Sequence, residues 1–217
     1  MSWHNRGVPL TSTPPASSPG WFVAVPLKGG AGAKSRLAPV GRSGLARAMA
    51  ADTLMAVVAV VGRDRTLVVT SDDEVCRLVT SLGVVTIADP GRGLDAAGRA
   101  GIEAAWARGA TAVAILLGDH PALRPAELEA ALEAAARHTW AFVPDDDGEG
   151  TAMVTTTSGL PPLAFGARSA RRHEASGLVR LDLDLPGLRV DVDTVADLAA
   201  AQAIGVGARS VAVLGRD

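Results

Sequence analysis

Short apolar runs alternate with longer amphipathic stretches along most of the chain. Residues 21–26 (WFVAVP) form the first run, and 65–71 (RTLVVTS), 84–89 (VVTIAD) and 111–119 (TAVAILLGD) follow. Each is short and continuously apolar, so each predicts a buried strand. Between them, apolar positions recur at helical spacing. Residues 43–61 read as a helix with Ser43 at its N-cap, and 72–83 as a helix with acids in its first turn and Gly83 at its stop. Residues 93–109 read as a helix ending at Gly109, and 124–138 as one with Pro125 early. Strand and helix alternating in this way predict an α/β fold: a parallel sheet with helices on both faces and right-handed crossovers. Strands apolar on both sides agree with burial under two helical layers.

The pattern changes from Trp140. WAFVPD (140–145), TAMVTTT (151–157) and PLAFG (162–166) are short strand-like runs with little between them, which predicts antiparallel additions or a small flap. The stretch 187–205 reads as a strand, an acidic turn and a final helix capped by Thr194 or Asp193. Residues 1–20, rich in Ser and Pro, are expected as a disordered tail, 21–206 as a single domain, and 207–217 as a C-terminal tail.

Composition narrows the function. The net charge of −2 carries no basic footprint for nucleic acid, and 3% aromatic content with no tyrosine provides no stacking platform. The single Cys76 excludes an internal disulfide framework and Cys-based zinc sites, and reads as a small buried hydrophobe. No segment reads as a signal peptide or a membrane span, so a cytoplasmic protein with a small-molecule partner is expected. Positive charge comes from nineteen arginines and only two lysines, Lys28 and Lys34, both in the glycine-rich loop after the first strand.

Ligands of open α/β sheets bind beyond the carboxyl ends of the strands, so the residues there are the candidates. After the first strand, PLKGGAGAKSR combines close backbone approach with Lys28, Lys34 and Arg36, and suits a triphosphate. It is neither a P-loop nor a dinucleotide fingerprint, because the required glycines are missing. After the fourth strand, Gly118 allows close approach, and Asp119 suits either a helix cap or a hard cation such as magnesium. His120 beside it reads as structural or, less simply, as catalytic. Asp191 and Asp193 face the same side of an extended segment and with Asp119 form a possible three-carboxylate site, the alternative being helix capping. The run 145–151 lacks the EF-hand spacing and reads as a glycine turn presenting Thr151. Gly166, Ser169, Arg171, Arg172 and His173 suit a phosphorylated acid, or else a solvated basic helix face.

The segments VPLKGGAGAKSRLAP, GDHPAL, GEGTAM, FGARSARRH and DVDTVADL occur together in the order and spacing of one family. The chain resembles the guanylyltransferases of deazaflavin coenzyme F-420 biosynthesis, which act on 2-phospho-L-lactate or, in bacteria, phosphoenolpyruvate. The resemblance covers roughly residues 21–206. It implies a single-domain, Rossmann-like nucleotide-diphospho-sugar-transferase fold, similar to that used for molybdenum-cofactor guanylylation. It also implies attack by a phosphate oxygen of the phospho-acid on the α-phosphorus of GTP, with pyrophosphate leaving and the adduct handed to a downstream deazaflavin-transferring enzyme. By the same resemblance Thr151, Gly166 and Ser169 hold phosphoenolpyruvate, and Asp119, Asp191 and Asp193 bind magnesium. Lys28, Lys34 and Arg36 lie on the triphosphate, with Asp95 and Gly118 near the nucleotide. Lys28, Lys34 and Asp119 are the expected catalytic groups. Two departures stand out: Asp95 occupies a position where the family usually has Asn, and His120 one where an apolar residue is common. The competing readings are a nucleotidyltransferase with a molybdopterin or sugar-phosphate acceptor, and a non-catalytic nucleotide-binding regulator.

Overall fold

The computed structural model describes residues 20–28 and 42–215. The first strand, β1 (Trp21–Pro26), is followed by α1 (Arg42–Val61), β2 (Thr66–Thr70), α2 (Asp73–Ser81), β3 (Val85–Ala88), α3 (Leu94–Trp106), β4 (Ala112–Leu116) and α4 (Pro125–Ala135). Then come β5 (Trp140–Pro144), β6 (Thr151–Thr156), α5 (Ser169–Ala175), β7 (Val179–Arg180), α6 (Pro186–Arg189), α7 (Val195–Ile204) and α8 (Ala208–Leu214). One seven-stranded sheet runs in the order β3-β2-β1-β4-β6-β5-β7. β1 pairs in parallel with β2 and β4, β2 with β3, and β5 with β7, while β6 runs antiparallel to both its neighbours.

Alternation along β1 distributes its side chains between two cores. Val23 and Val25 pack with Leu54 and Val57 of α1 and Leu128 and Leu132 of α4. Phe22 and Ala24 face the other way, onto Ile102 and Ala105 of α3. Period two in the strand thus meets a helical layer on each face, as expected. The approach of α3 is close: a Cβ at Gly101 would sit 2.6 Å from Cβ of Ala24.

Several details refine or correct the sequence expectation. The antiparallel addition expected after Trp140 is present, and it lies inside the sheet rather than forming a separate flap. The turn at 145–150 folds β5 and β6 into a hairpin, which places the reversed β6 in the sheet beside β4 and sends β5 back in the common direction. Neither PLAFG nor the stretch 190–192 joins the sheet; the backbone of 190–192 pairs instead with a turn, described below. β3 is an edge strand, and its residues alternate between half-buried and exposed.

The helix α1 carries a stretch, Gly44–Val61, that is long and apolar enough to cross a membrane by length and composition alone, contrary to the sequence reading. Half of that stretch is buried within the protein, with α1 packed on β1, β2, α4 and α8, which is the behaviour of a core helix apolar all round. The segment expected as a C-terminal tail contains α8, whose first-turn amides of Arg209 and Ser210 donate to the two carboxylate oxygens of Asp52 at 3.1 and 2.8 Å. The tail expected at 1–20 lies, apart from Gly20, outside the described residues.

Candidate active site

Two strand ends meet at one rim of the sheet. Leu27 N–H donates to Val69 O at 3.0 Å, so the pairing of β1 with β2 continues past Pro26 and brings the exposed Lys28 to the carboxyl end of the sheet. Gly118, two residues beyond β4, is buried, and a Cβ there would run into the side chain of Leu27. Glycine is required by that close approach.

Asp119 follows, and its backbone is stitched to a segment seventy residues further along. Val192 N–H donates to Asp119 O at 3.0 Å, and His120 Nδ1 lies 3.3 Å from Val190 O. A carbonyl only accepts, so Nδ1 carries the proton, and Nε2 faces Asp119 Oδ1 at 3.8 Å. Val190 and Val192 are buried against Leu45, Met49 and Leu198, and the residues between and after them point outward. Alternation therefore turns Asp191 and Asp193 to the side of Asp119.

One carboxylate oxygen from each of Asp119, Asp191 and Asp193 lies within 4.8 Å of the others. Burial, then repulsion from Asp119 and Asp193, pushes the Asp191 carboxyl up to about 7. Three hard oxygen donors that repel one another in the absence of a cation form a set suited to a divalent ion of the magnesium or manganese type. Capping is done elsewhere. Thr194 Oγ1 accepts from Asp197 N–H at 3.3 Å, and Asp197 Oδ2 accepts from the amides of Thr194 and Asp193.

Asp145, at the end of β5, was not singled out by the sequence reading. Burial, followed by its hydrogen bond with Asp147, pushes its carboxyl up to about 6, and its charge adds to the upward push on Asp191. Arg189 Nη2 and Nε donate to Asp145 O at 2.8 and 3.1 Å, tying this turn to the segment that carries Asp191. The available signal was positional: Asp145 is the first acid after a buried strand, as Asp119 nearly is.

Beside the carboxylates lies a buried hydroxyl pair. The ladder register Leu116↔Met153 and the bond from Leu117 N–H to Ala152 O bring the start of β6 alongside the Gly118–Asp119 turn. Thr151 Oγ1 is 3.0 Å from Ser169 Oγ and 3.0 Å from His173 Nδ1. His173 is fully buried between Phe142 and Phe165, with ring centroids 5.6 and 5.4 Å away. Gly166 turns the chain into α5 with φ of 108°, a conformation that favours glycine, and its carbonyl accepts from Ser169 N–H.

The guanidinium of Arg172, considered from sequence as a phosphate ligand, is spent on the loop itself. It donates to the carbonyls of Ala164, Phe165 and Ala167 at 2.7–3.2 Å. Asp95 Oδ1 accepts from Phe165 N–H at 2.8 Å, which fastens the same loop to the first turn of α3. The structure thus brings together Asp119, Asp191 and Asp193, and separately Thr151 and Ser169, with Lys28 on the same rim. Lys34 and Arg36 lie outside the described residues.

The fold and this rim define a nucleotidyltransferase. Residues 37–203 match the family model of the MobA-like NTP transferase domain. Among solved structures, one described as a nucleotide-diphospho-sugar transferase from Desulfovibrio desulfuricans superposes with a TM-score of 0.64 at 16% identity, over 91% of this chain and 95% of that one. That likeness concerns the fold. Similarity in sequence is narrower. The phosphoenolpyruvate guanylyltransferase of Streptomyces coelicolor is 46% identical over 90% of this chain and 96% of its own, and that of Sanguibacter keddieii is 43% identical over 90% and 84%. The chain belongs to the phosphoenolpyruvate guanylyltransferase family.

Proposed function

We propose that this enzyme transfers GMP from GTP to phosphoenolpyruvate, or to the related 2-phospho-L-lactate, with release of pyrophosphate, as a cytoplasmic step of coenzyme F-420 biosynthesis. The observation that carries the reading is the convergence of Asp119, Asp191 and Asp193 from two distant turns, within 4.8 Å of one another, at the rim where Lys28 emerges. The family relationship supplies the substrates' names. These carboxylates would hold magnesium, which supplies charge neutralisation on the triphosphate when bound.

The chain's own part is alignment. Lys28, Lys34 and Arg36 are assigned to the triphosphate, where a compact ammonium enters a crowded site more readily than an Arg fork. Gly118 is assigned to the nucleotide side, where its missing side chain lets the Asp119 turn pack against Leu27. Asp95 is assigned to the nucleotide side, where its carboxylate also braces the acceptor loop through Phe165 N–H. Thr151, Ser169 and Gly166 are assigned to the acceptor. The phosphate nucleophile is already ionised, so the site needs no strong general base. Rate acceleration comes from holding two anions in line and offsetting their charge. The adduct would pass to a deazaflavin-transferring enzyme.

The test is pyrophosphate release from GTP and magnesium with phosphoenolpyruvate, 2-phospho-L-lactate and other phospho-acids in separate reactions. The deazaflavin-transferring enzyme is added as a trap for an unstable adduct. No pyrophosphate from GTP with either named acid would end this reading. Release with ATP or CTP but not GTP would remove the base assignment alone.

A further inference from the structure

We infer that His173 is a positioning residue that keeps Thr151 from spending its hydroxyl hydrogen on the ring, leaving the Thr151–Ser169 pair one O–H to give to an anionic acceptor. The inference rests on the acceptor-subsite reading above and deepens it.

Ala164 N–H lies 3.0 Å from His173 Nε2, and a backbone amide can only donate, so Nε2 is unprotonated. A ring bearing no proton on either nitrogen would be an imidazolate, so Nδ1 must carry the hydrogen. Nδ1 therefore donates to Thr151 Oγ1, and Thr151 cannot donate back. One hydrogen bond, 3.0 Å long, joins the two hydroxyls, with Ser169 Oγ donating to Thr151 Oγ1. Thr151 then has both acceptor sites engaged and its own hydrogen unused by either partner. If the Thr–Ser bond ran the other way, the unused hydrogen would sit on Ser169 instead. Either way the pair has one O–H left to give.

The environment keeps the ring in this state. Burial pulls the imidazole down to about 4, so it stays neutral across the working range of pH. Phe142 and Phe165 hold its plane, and Asp95 and Arg172 hold the loop that supplies the Ala164 amide. A neutral hydroxyl pair with one O–H to give suits a ligand with an oxygen acceptor, such as a carboxylate or phosphate oxygen. If Nε2 were protonated instead, Nδ1 would accept from Thr151, and the pair would lose the hydrogen it now offers.

Two measurements test this. The first is independent of turnover: ¹⁵N–¹H spectra of the imidazole in the ligand-free full chain between pH 5 and 8. A single Nδ1–H tautomer is expected at every pH, and an Nε2–H tautomer or an imidazolium overturns the inference. The second compares His173→Phe, which keeps the aromatic packing, with His173→Asn, whose amide nitrogen can take the place of Nδ1. The Phe variant keeps the spare hydroxyl hydrogen but loses the Nδ1–H bond that holds Thr151 Oγ1 in place, and is expected to raise KM for phosphoenolpyruvate about fivefold, the scale of one lost neutral hydrogen bond, and to leave KM for GTP in place. The Asn variant is expected to restore most of that loss. A Phe variant with unchanged KM for the acceptor, or an equal rise in both KM values, or a folded Asn variant as weak as Phe, overturns the inference. If wild type fails to release pyrophosphate, the function reading fails, while the tautomer spectrum still decides the state of the ring.

Discussion

The carboxylate cluster should destabilise the protein whenever no cation is bound, and Asp191→Asn should reveal by how much. In the folded chain the Asp191 carboxyl is raised from 3.8 to about 7, by burial first and by Asp119 and Asp193 next. A raised acid holds its proton more tightly folded than unfolded. The stability it contributes is fully present below about 3.8, shrinks as pH rises, and is gone above about 7. At about 1.4 kcal/mol per unit the full swing is about 4 kcal/mol, and partial solvent screening of this half-buried group brings it to about 2 kcal/mol. Asn keeps the shape and removes the charge. In EDTA, Asp191→Asn is therefore expected to melt with wild type at pH 4, to gain steadily above it, and to level off above pH 7. The plateau should lie roughly 4–8 °C higher in Tm for a chain of this size. Millimolar magnesium should narrow the gap at pH 8 by stabilising wild type and not the variant, and pyrophosphate release should be lost in the variant. Thermal denaturation at five pH values with and without magnesium is the assay. A variant less stable than wild type in EDTA at pH 8, or a gap that does not change with pH, would refute the electrostatic reasoning.

Other expectations follow from single contacts. Gly101→Ala places a methyl 2.6 Å from Cβ of Ala24 and should cost about 1–3 kcal/mol in urea denaturation by forcing α3 off the sheet. Asp52→Ala strips the amides of Arg209 and Ser210 of their acceptors and should cost about 1–2 kcal/mol, with faster hydrogen exchange confined to α8. Asp95→Ala frees Phe165 N–H, so KM for the acceptor should rise alongside any effect on GTP; a rise for GTP alone would assign Asp95 to the nucleotide only. Gly118→Ala should lower kcat by pushing the Asp119 turn away from Leu27, with little change in far-UV circular dichroism.

The alternation of apolar runs made the parallel half of the sheet readable, since period two and period 3.6 are local properties. So were the acids in the first turn of α2 and the extended spacing of Asp191 and Asp193. What was not local was not readable. Whether 190–192 joins the sheet depends on a partner, and the partner proved to be the turn at Asp119 and His120 rather than a strand. Arg172 looked like a phosphate ligand because an arginine near Gly166 and Ser169 suits one. Only the fold shows three carbonyls of the 164–167 loop already occupying it. Asp145 was passed over because three consecutive acids before a glycine read as a turn presenting Thr151, whereas the fold half-buries the first of them beside Asp191.

The reversed strand β6 explains how both halves of the site come to one rim. Parallel strands bring their carboxyl ends to the same edge, which is why Lys28 and Asp119 lie together. β6 is antiparallel to β4, so it presents its beginning at that edge, and its first residue is Thr151. A parallel strand in the same slot would have brought Thr156 there and carried Thr151 to the far side of the sheet. The hairpin turn at 145–150 is drawn to the rim by the same reversal, which explains why Asp145 contributes to the field at Asp191. A single change of strand direction therefore sets a hydroxyl pair on the rim that carries the carboxylate cluster, the juxtaposition the proposed reaction would use to hold an anionic acceptor against a cation-bound triphosphate.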